Sequence, residues 1–496
     1  MTTKGGMTTK GWDLLIKNVR VVRPGASSVE EADIAVTGEK FSKVGPNLPS
    51  DEAKTVYDGK GLLAFPGVVD AHMHTGIYSP LAEDAVSESR AAAQGGVTSS
   101  LNYFRTGQYY LNRGGPYRDF FPEVLKVSAG KFHVDYGYHL APMDNTHIGE
   151  IPELIEKHGV SSFKIFMFYG SHGLHGRSDS QRDFLMIGPG ERYDFAHFEF
   201  VMRGVQAARE RLEAKASQIS LSLHCETAEI MTAYTKIVEG ERKLDGLAAY
   251  HASRPPHSEG LAVFIASYLA SEAALPTINL LHLSSRKALT AALQMAQVFP
   301  HVDFRREVTI GHLVLDTNSR AGVLAKVNPP IRPREDVEFL WQMVLENKVD
   351  WVVSDHACCR HETKAAKNAL GNIWLAKSGF GGTEYLLPAL ISEGSKRKLS
   401  LNRIAALTSG NPAKRFGLNS KGDIAPGLDA DLVLVDPKET WTVRAKDSES
   451  TQGYTPFEGI ELSSKVRATF LRGALVCENG KVTGSPRGRY LHRPTA

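Results

Sequence analysis

Five side chains able to bind a metal ion stand at the ends of apolar segments of this sequence. His72 and His74 end the first of these segments, and alternate residues of a strand share one face, so both imidazoles should point the same way. His224, His282 and Asp355 end later segments. An isolated His-x-His pair carries little weight in a chain with 18 histidines. Imidazole and carboxylate groups at corresponding positions, however, suit zinc or a similar divalent ion.

Lys164 is a sixth candidate because it lies inside the apolar segment 162–168. Burying an ammonium group is costly unless it is paired or neutralised. One interpretation is a lysine at a strand edge whose amine reaches solvent. The alternative is an amine carboxylated by CO2, which would become a carbamate bridging two metal ions.

Eight apolar segments alternating with helical patterns are expected to position these residues. The predicted strands are 67–72, 97–102, 132–139, 162–168, 219–224, 277–282, 302–308 and 351–355. The predicted helices are 83–94, 150–158, 195–216, 227–238, 259–274, 286–298 and 335–347. This alternation predicts an α/β fold, a (β/α)8 TIM-type barrel whose active site lies at the carboxyl ends of the strands. A doubly wound sheet would also alternate, but 70–76 is not the glycine-rich turn expected near its first strand.

The flanking segments have the pattern of short strands separated by turns. We therefore expect a composite β-sandwich domain built from residues 1–65 and 423–483, with the catalytic barrel at 66–422 between them. Residues 484–496 are rich in Arg, Gly and Pro and predict an arm, either loose or packed on a neighbouring subunit. Residues 7–11 repeat residues 1–5, so Met7 is a candidate second start, with frayed residues before it.

Composition argues against several other classes of protein. The net charge of +3 has no clustered basic run behind it, so neither nucleic acid nor a membrane surface is an expected partner. No segment approaches the roughly 20 apolar residues of a membrane span. The four cysteines are too few for a disulfide scaffold and lack a CxxC spacing, which predicts a reducing, cytoplasmic location.

These motifs together resemble the amidohydrolase superfamily, and within it the dihydropyrimidinase/hydantoinase branch of the cyclic amidohydrolases. Lys164 followed by Tyr169 is similar to the lysine–tyrosine pair of hydantoinases. The ligand-bearing and second-domain motifs that carry the rest of the resemblance are 66–74, His224, 281–285, 354–356, 411–418 and 421–432. The resemblance extends over most of the chain.

The resemblance implies a binuclear metal centre that hydrolyses a cyclic amide or imide. Its more buried ion would bind His72, His74, Asp355 and the N6-carboxylated Lys164, and its more exposed ion would bind Lys164, His224 and His282. Zinc is the favoured ion and manganese the alternative. A hydroxide that bridges the ions would attack the ring carbonyl, Tyr169 would donate to the oxyanion, and Asp355 would carry the proton. Asn328 and backbone groups near 379–382 would bind the small-molecule substrate, in a homo-oligomer that is a tetramer or dimer.

Several segments depart from that branch and leave the substrate open. Residues 224–227 read His-Cys-Glu-Thr, residues 306–312 differ from the usual end of strand seven, and 354–359 resembles dihydroorotase and allantoinase loops. The aromatic segment 104–121 and the segment 170–193 are long. Tyr169 favours a hydantoin- or dihydropyrimidine-like ring over an allantoin- or dihydroorotate-like one.

Two further alternatives concern the activity itself. The same machinery could act on a xenobiotic or acyclic amide. A non-catalytic scaffold protein would be expected to have broken ligand positions, whereas all six are intact here.

Overall fold

The computed structural model describes residues 11–170, 180–366 and 371–494. The candidate second start at Met7 and residues 171–179 of the long segment 170–193 lie outside these ranges. No helix among the described residues is long and apolar enough to cross a bilayer.

The described residues form two sets of strands and a series of helices. The strands are β1 Trp12–Val21, β2 Glu30–Thr37, β3 Lys40–Gly45, β4 Ala53–Asp58, β5 Leu63–Pro66, β6 Val68–Met73, β7 Val97–Phe104, β8 Asp135–Leu140, β9 Ser162–Phe166, β10 Ser220–His224, β11 Thr277–Leu280, β12 Asp303–Thr309, β13 Trp351–Val353, β14 Leu432–Asp436, β15 Trp441–Thr442, β16 Glu461–Leu462, β17 Lys465–Leu471, β18 Ala474–Glu478 and β19 Lys481–Val482. The α-helices are α1 Leu81–Gln94, α2 Tyr117–Ser128, α3 Asn145–His158, α4 Gln181–Leu185, α5 Phe195–Arg211, α6 Ala228–Glu241, α7 Gly246–Ser253, α8 Pro256–Glu272, α9 Arg286–Val298, α10 Ile310–Val314, α11 Arg334–Leu345, α12 His361–Lys364, α13 Leu386–Lys396, α14 Leu401–Ala405 and α15 Asn411–Arg415.

Strands β6 to β13 form a parallel sheet in chain order, each hydrogen-bonded to the next. A bridge between Met73 and His356 joins the end of β6 to the residues after β13 and brings the sheet round into a barrel. Every residue of β6, β9 and β10 is buried, because the helices cover one face and the barrel core covers the other. The predicted (β/α)8 barrel is therefore confirmed, and each predicted strand overlaps one of these eight.

Local sequence accounts for the ends of several helices between the strands. The Asp144 side chain accepts a hydrogen bond from the His147 backbone and begins α3, and Gly159, at φ +67°, ends it in the left-handed conformation. The Ser285 hydroxyl begins α9 by accepting from the Ala288 backbone. Helix α9 has the predicted bounds. Eight of the described helices are absent from the prediction: α2, α4, α7, α10, α12, α13, α14 and α15. The long aromatic segment 104–121 ends inside α2.

The second domain is a nine-stranded sheet built from both ends of the chain. Its central pairing is antiparallel, between β5 and β14, with Phe65 opposite Val433. Gly67 alone separates β5 from β6, so the first barrel strand continues directly from this sheet. The predicted composite β domain is confirmed as part of the fold.

The C-terminal segment packs on the barrel of its own chain, contrary to the prediction of an arm that is loose or docked on a neighbour. The Leu491 backbone N–H donates to the Tyr136 carbonyl at 2.7 Å, which adds the segment to the edge of β8. Arg493 is fully buried and donates to the Tyr138 carbonyl at 2.7 Å. Composition could not reveal this contact, because the same Arg, Gly and Pro content suits either a mobile or a docked segment.

Candidate metal centre

Two imidazoles and a carboxylate converge at the carboxyl ends of β6 and β13. His72 Nε2 lies 3.3 Å from His74 Nε2 and 3.1 Å from Asp355 Oδ1. The same Asp355 oxygen lies 3.3 Å from His74 Nε2. Burial lowers the pKa values of both histidines well below their usual range, so the rings are neutral, as metal binding requires.

Lys164, on β9, points its amine into the same group. Its Nζ lies 3.2 Å from His72 Nε2 and sits over the rings of Tyr103 and Phe166, 3.9 and 4.3 Å from their centres. Burial lowers the pKa of the amine to about 7, although the negative charge of Asp355 opposes the shift. The lysine is not at a solvent-facing edge, since only 1% of it is exposed.

His224 and His282 complete the set at the ends of β10 and β11. Their ring centres are 4.2 Å apart, and His282 lies 5.4 Å from the ring of His72. The His282 Nδ1 atom is buried and meets no hydrogen-bond partner among the described residues. An unpartnered buried ring nitrogen beside neutral imidazoles, a carboxylate and a lysine fits a site for divalent cations.

Glu307 orients this group, although no motif pointed to it. Its Oε1 accepts from His72 Nδ1 at 2.7 Å and from the His282 backbone N–H at 3.1 Å, and its Oε2 accepts from Trp351 Nε1 at 2.8 Å. With Nδ1 donating to Glu307, His72 keeps the lone pair of Nε2 for the cavity. The one feature of the sequence that could have indicated this role is that Glu307 is a charged residue inside a segment predicted to be a buried strand.

The other two oriented histidines have partners of their own. His74 Nδ1 is hydrogen-bonded to the Tyr110 hydroxyl at 2.8 Å. His224 Nε2 donates to Glu226 at 2.7 Å, and the same carboxylate oxygen accepts from Arg254 at 2.9 Å. Tyr110 therefore gives the aromatic segment 104–121 a direct contact with the site.

The backbone is strained at two of the candidate ligands. His282 has φ +34° and Asp355 has φ +53°, which non-glycine residues rarely adopt. Bonds on either side stabilise Asp355: Asp70 accepts from the Ser354 backbone at 3.1 Å, and His356 Nε2 donates to Glu88 at 2.8 Å. The surrounding structure thus holds the Asp355 carboxylate among the histidines.

The predicted substrate-binding residues line the same cavity as the ligands. Tyr169 lies in a short 3-10 segment after β9, and its hydroxyl accepts from Arg105 Nε at 3.2 Å. Asn328 Oδ1 accepts from the Tyr250 hydroxyl. The structure brings all eight predicted site residues to this cavity: His74, Lys164, Tyr169, His224, His282, Asn328 and Asp355 line it, and His72 contacts three of them.

The backbone between 379 and 382 offers less to a substrate than the resemblance implied. Gly379 lines the cavity, but its N–H donates to the Lys326 carbonyl at 2.9 Å. The N–H groups of Gly381 and Gly382 donate to the side chains of Gln452 and His356. These three donors are used to hold the loop itself.

Comparisons with known proteins agree with this geometry. A profile of the amidohydrolase family matches residues 186–476. The allantoinase of Rubrobacter xylanophilus is 34% identical over 487 residues, covering 97% of each chain, and that of Salmonella choleraesuis is 32% identical over 97% of this chain and 98% of its own. The dihydropyrimidinase of Brevibacillus agri NCHU1002 superposes with a TM-score of 0.82 and 26% identity, over 97% of this chain and 98% of its own. The L-hydantoinase (dihydropyrimidinase) of Arthrobacter aurescens gives 0.83 and 26%, over 97% and 100%.

The chain belongs to the amidohydrolase family. It is a cyclic amidohydrolase, an enzyme that hydrolyses a C–N bond of a cyclic amide in a metal-dependent reaction, as the sequence predicted. The family indicates a binuclear metal centre, and His72, His74 and Asp355 form a group of three potential ligand atoms within 4.8 Å of one another.

Proposed function

We propose that this enzyme opens hydantoin-type rings. In that reaction water adds across a ring amide: a C–O bond forms, the C–N bond breaks and the ring nitrogen gains a proton. The product stays in one piece because the rest of the ring still joins the two ends. The observation that carries the proposal is the placement of Tyr169 in one cavity with the convergent histidines, Lys164 and Asp355.

His72, His74, Lys164 and Asp355 would hold the more buried ion, and Lys164, His224 and His282 the more exposed one. The distances of 3.1 to 3.3 Å among the first four support this division, as does the unpartnered Nδ1 of His282. Imidazole and carboxylate donors favour Zn²⁺, with Mn²⁺ as the alternative. Two such cations, when bound, lower the pKa of water and polarise the scissile carbonyl.

Lys164 is the proposed site of carboxylation. Its buried amine has no carboxylate within salt-bridge distance among the described residues, and its lowered pKa, about 7, leaves much of it neutral at neutral pH. The neutral nitrogen attacks the carbon of CO2, a C–N bond forms and a proton leaves. The carbamate that results is an anion with two oxygens, in a place where a bare ammonium would repel cations.

Two residues carry the chemistry that the protein itself supplies. Asp355 receives a proton from the attacking water and returns it to the ring nitrogen as the C–N bond breaks. The Tyr169 hydroxyl donates to the oxygen that becomes negative in the transition state. Asn328, beside Val327 in the cavity wall, presents its amide to the ring.

The cavity wall indicates which substituents a ring could carry. Ile77, Tyr78, Phe166 and Phe168 make much of it apolar or aromatic, and none of the described lining residues is an arginine. An apolar substituent at ring carbon 5 suits this wall, whereas the carboxylate of dihydroorotate would lack a guanidinium partner. Allantoin is a hydantoin with a ureido group at that carbon, and the allantoinases at 32–34% identity make it the second candidate substrate.

A substrate panel tests the proposal. We would compare kcat/KM for hydantoin, 5-phenylhydantoin, allantoin, dihydrouracil, dihydroorotate and an open-chain amide. We expect a hydantoin to lead and dihydroorotate to be poorest. Preference for the open-chain amide, or no ring opening with any member, would reject the proposal, and a lead for allantoin would select the second candidate.

Metal analysis tests the centre independently of substrate. Purified protein should contain about two divalent ions per chain, and removing them with a chelator should abolish turnover until Zn²⁺ or Mn²⁺ is restored. Full activity in metal-free protein would contradict the binuclear centre.

We also propose that the enzyme is a homo-oligomer, a tetramer or dimer, that assembles through the outer faces of α8 and α9. Tyr268 and Val298 expose 56% and 58% of their surfaces there, beside Leu261 and Phe264. Exposed apolar side chains that form one surface are typical of interfaces. Light scattering on a Tyr268→Glu, Val298→Glu double variant should show smaller particles than wild type, whereas Val56→Glu, an exposed apolar site on the β domain, should not change them.

A cytoplasmic location is the last part of the proposal. All four cysteines are buried and unpaired, which suits a reducing compartment. Fractionation of the source cells with an antibody to the chain would test it.

A further inference from the structure

Arg105 is a buried charge that the proposed reaction leaves unexplained. It follows β7 and is only 1% exposed, yet no carboxylate lies within salt-bridge distance among the described residues. Its Nε donates to the Tyr169 hydroxyl at 3.2 Å and its Nη1 to the Thr106 carbonyl at 2.8 Å. Its Nη2 meets no acceptor in the described structure. Burying a guanidinium is costly when no anion pairs with it, and none of the described residues supplies one, so the position of Arg105 calls for a functional reason.

The surroundings of Arg105 are shaped to hold it. The guanidinium carbon lies 4.9, 5.1 and 5.8 Å from the ring centres of Phe184, Tyr169 and Tyr110. Aromatic faces attract a cation and partly replace the water it has lost. Gly107 has φ +101°, and a Cβ there would come within 2.8 Å of Arg105 Nη1. A larger residue at 107 would therefore push the guanidinium out of place.

The contact with Tyr169 has a directional consequence. The Tyr169 oxygen accepts the Arg105 Nε–H, so its own proton must point away from Arg105. The adjacent cation also draws electron density from the hydroxyl and makes it a stronger donor. Since Tyr169 lines the cavity, a proton that points away from Arg105 can be donated into the cavity.

We propose that Arg105 is a positioning residue that orients the Tyr169 hydroxyl proton into the cavity and strengthens the hydrogen bond this hydroxyl donates to the oxyanion. The inference rests on the proposed role of Tyr169. Arg105 does not line the cavity, and within the described structure its side chain forms no hydrogen bond or ion pair with any of the six candidate ligands. Its charge reaches His74 at longer range, but its direct hydrogen bond to the cavity lining is the one to Tyr169.

A double-mutant cycle tests this inference. Arg105→Met should lower kcat by about 10-fold or more, as expected for losing a charged hydrogen-bond partner, with KM changed less than about 3-fold. Arg105→Lys should keep more of the activity than Arg105→Met, because it retains the charge without the planar fork. In a Tyr169→Phe background, Arg105→Met should change kcat by less than about 2-fold, because the group it acts through is already gone.

The outcomes separate the inference from the proposed function. If Tyr169→Phe lowers kcat but the Arg105→Met loss multiplies with it, Arg105 acts independently and the inference is wrong. If Tyr169→Phe leaves kcat unchanged, the oxyanion role of Tyr169 fails first. The metal content of each variant should equal that of wild type. Loss of metal in Arg105→Met would reduce Arg105 to a structural role and overturn the inference.

A matched control measures the general cost of removing a buried guanidinium. Arg493 is also fully buried but bonds to the Tyr138 and Phe416 carbonyls outside the cavity lining. Arg493→Met should lower the melting temperature while leaving kcat near wild type. If Arg105→Met does not fold, Arg105→Lys replaces it in the same cycle, and a loss of kcat that multiplies with that of Tyr169→Phe would overturn the inference.

Discussion

The two sides of the cavity are built differently. The ligand side consists of residues at or just beyond the ends of barrel strands, and His72, His74 and His224 each have a second ring nitrogen in a hydrogen bond of 2.7 to 2.8 Å. The substrate side consists of connecting segments, with Tyr169 in a 3-10 turn and Asn328 between helices. Aromatic rings packed around Arg105 and Tyr169 stabilise this substrate side of the cavity.

The difference separates reaction from specificity. Strand ends are fixed by the closed sheet, so a ligand set placed there keeps its geometry while the loops change. Substitutions on the ligand side, and loss of the Tyr169 hydroxyl, should therefore affect every substrate, whereas substitutions in the apolar wall of the substrate side should affect only some.

The largest effect is expected at Lys164. Lys164→Ala should reduce turnover of all substrates by more than about 10³-fold, because the proposed centre would lose the ligand that its two ions share. Elemental analysis should find at least one ion fewer per chain. Lys364→Ala is the matched control: Lys364 is equally buried and its pKa is also lowered to about 7 by burial. Within the described part of the chain, its amine donates to the Lys326 and Gly379 carbonyls and not to a candidate ligand. That variant should keep its metal, and retained turnover in Lys164→Ala would exclude the carbamate bridge.

Tyr169→Phe should have the next largest effect. Removing one donor to a developing oxyanion costs about 10²-fold in kcat. KM should change far less, because the bond strengthens only in the transition state. Steady-state kinetics on hydantoin measures both constants, and an equal rise in KM with an intact kcat would instead show that Tyr169 merely binds substrate.

Glu307→Gln tests whether the ligand side depends on its supporting bonds. Burial raises the pKa of Glu307 to about 8. The amide of Glu307→Gln can still accept from His72 but can no longer ionise to a carboxylate, so metal affinity or activity should fall by about 10- to 100-fold. Titration of the metal-free variant with Zn²⁺ measures the change. Wild-type affinity and activity would show that His72 is oriented without Glu307.

The smallest effect is expected in the apolar wall of the substrate side, at Ile77. Ile77→Ala enlarges the apolar wall and should lower kcat/KM for 5-phenylhydantoin by about 10-fold, within the range for a few lost methylene contacts. Unsubstituted hydantoin should be affected less than about 2-fold, since it has no substituent at ring carbon 5 to contact the wall. Equal losses on both substrates would mean that the two sides of the cavity are not separable in this way.

Much of the fold was predictable because burial on both faces of a parallel barrel leaves apolar runs in the sequence. Helix α2 was not, because Pro122 lies inside it and reads as a break. The burial of Tyr117, Phe120, Phe121 and Val124 stabilises this helix, and that contribution comes from tertiary packing. The docking of the C-terminal segment could not be predicted from the sequence either, because the β8 residues that it contacts lie far away in the chain.

The sequence by itself determined which residues could bind metal and at which strand ends they stand, since residue type and a two-residue period are local properties. Only the tertiary structure decided which ring nitrogen of a histidine faces the cavity and which group the Tyr169 hydroxyl contacts. His72 is oriented by Glu307, 235 residues away, and Tyr169 by Arg105, 64 residues away. Hydrogen bonds across such separations depend on the closure of the barrel, and no local pattern encodes them.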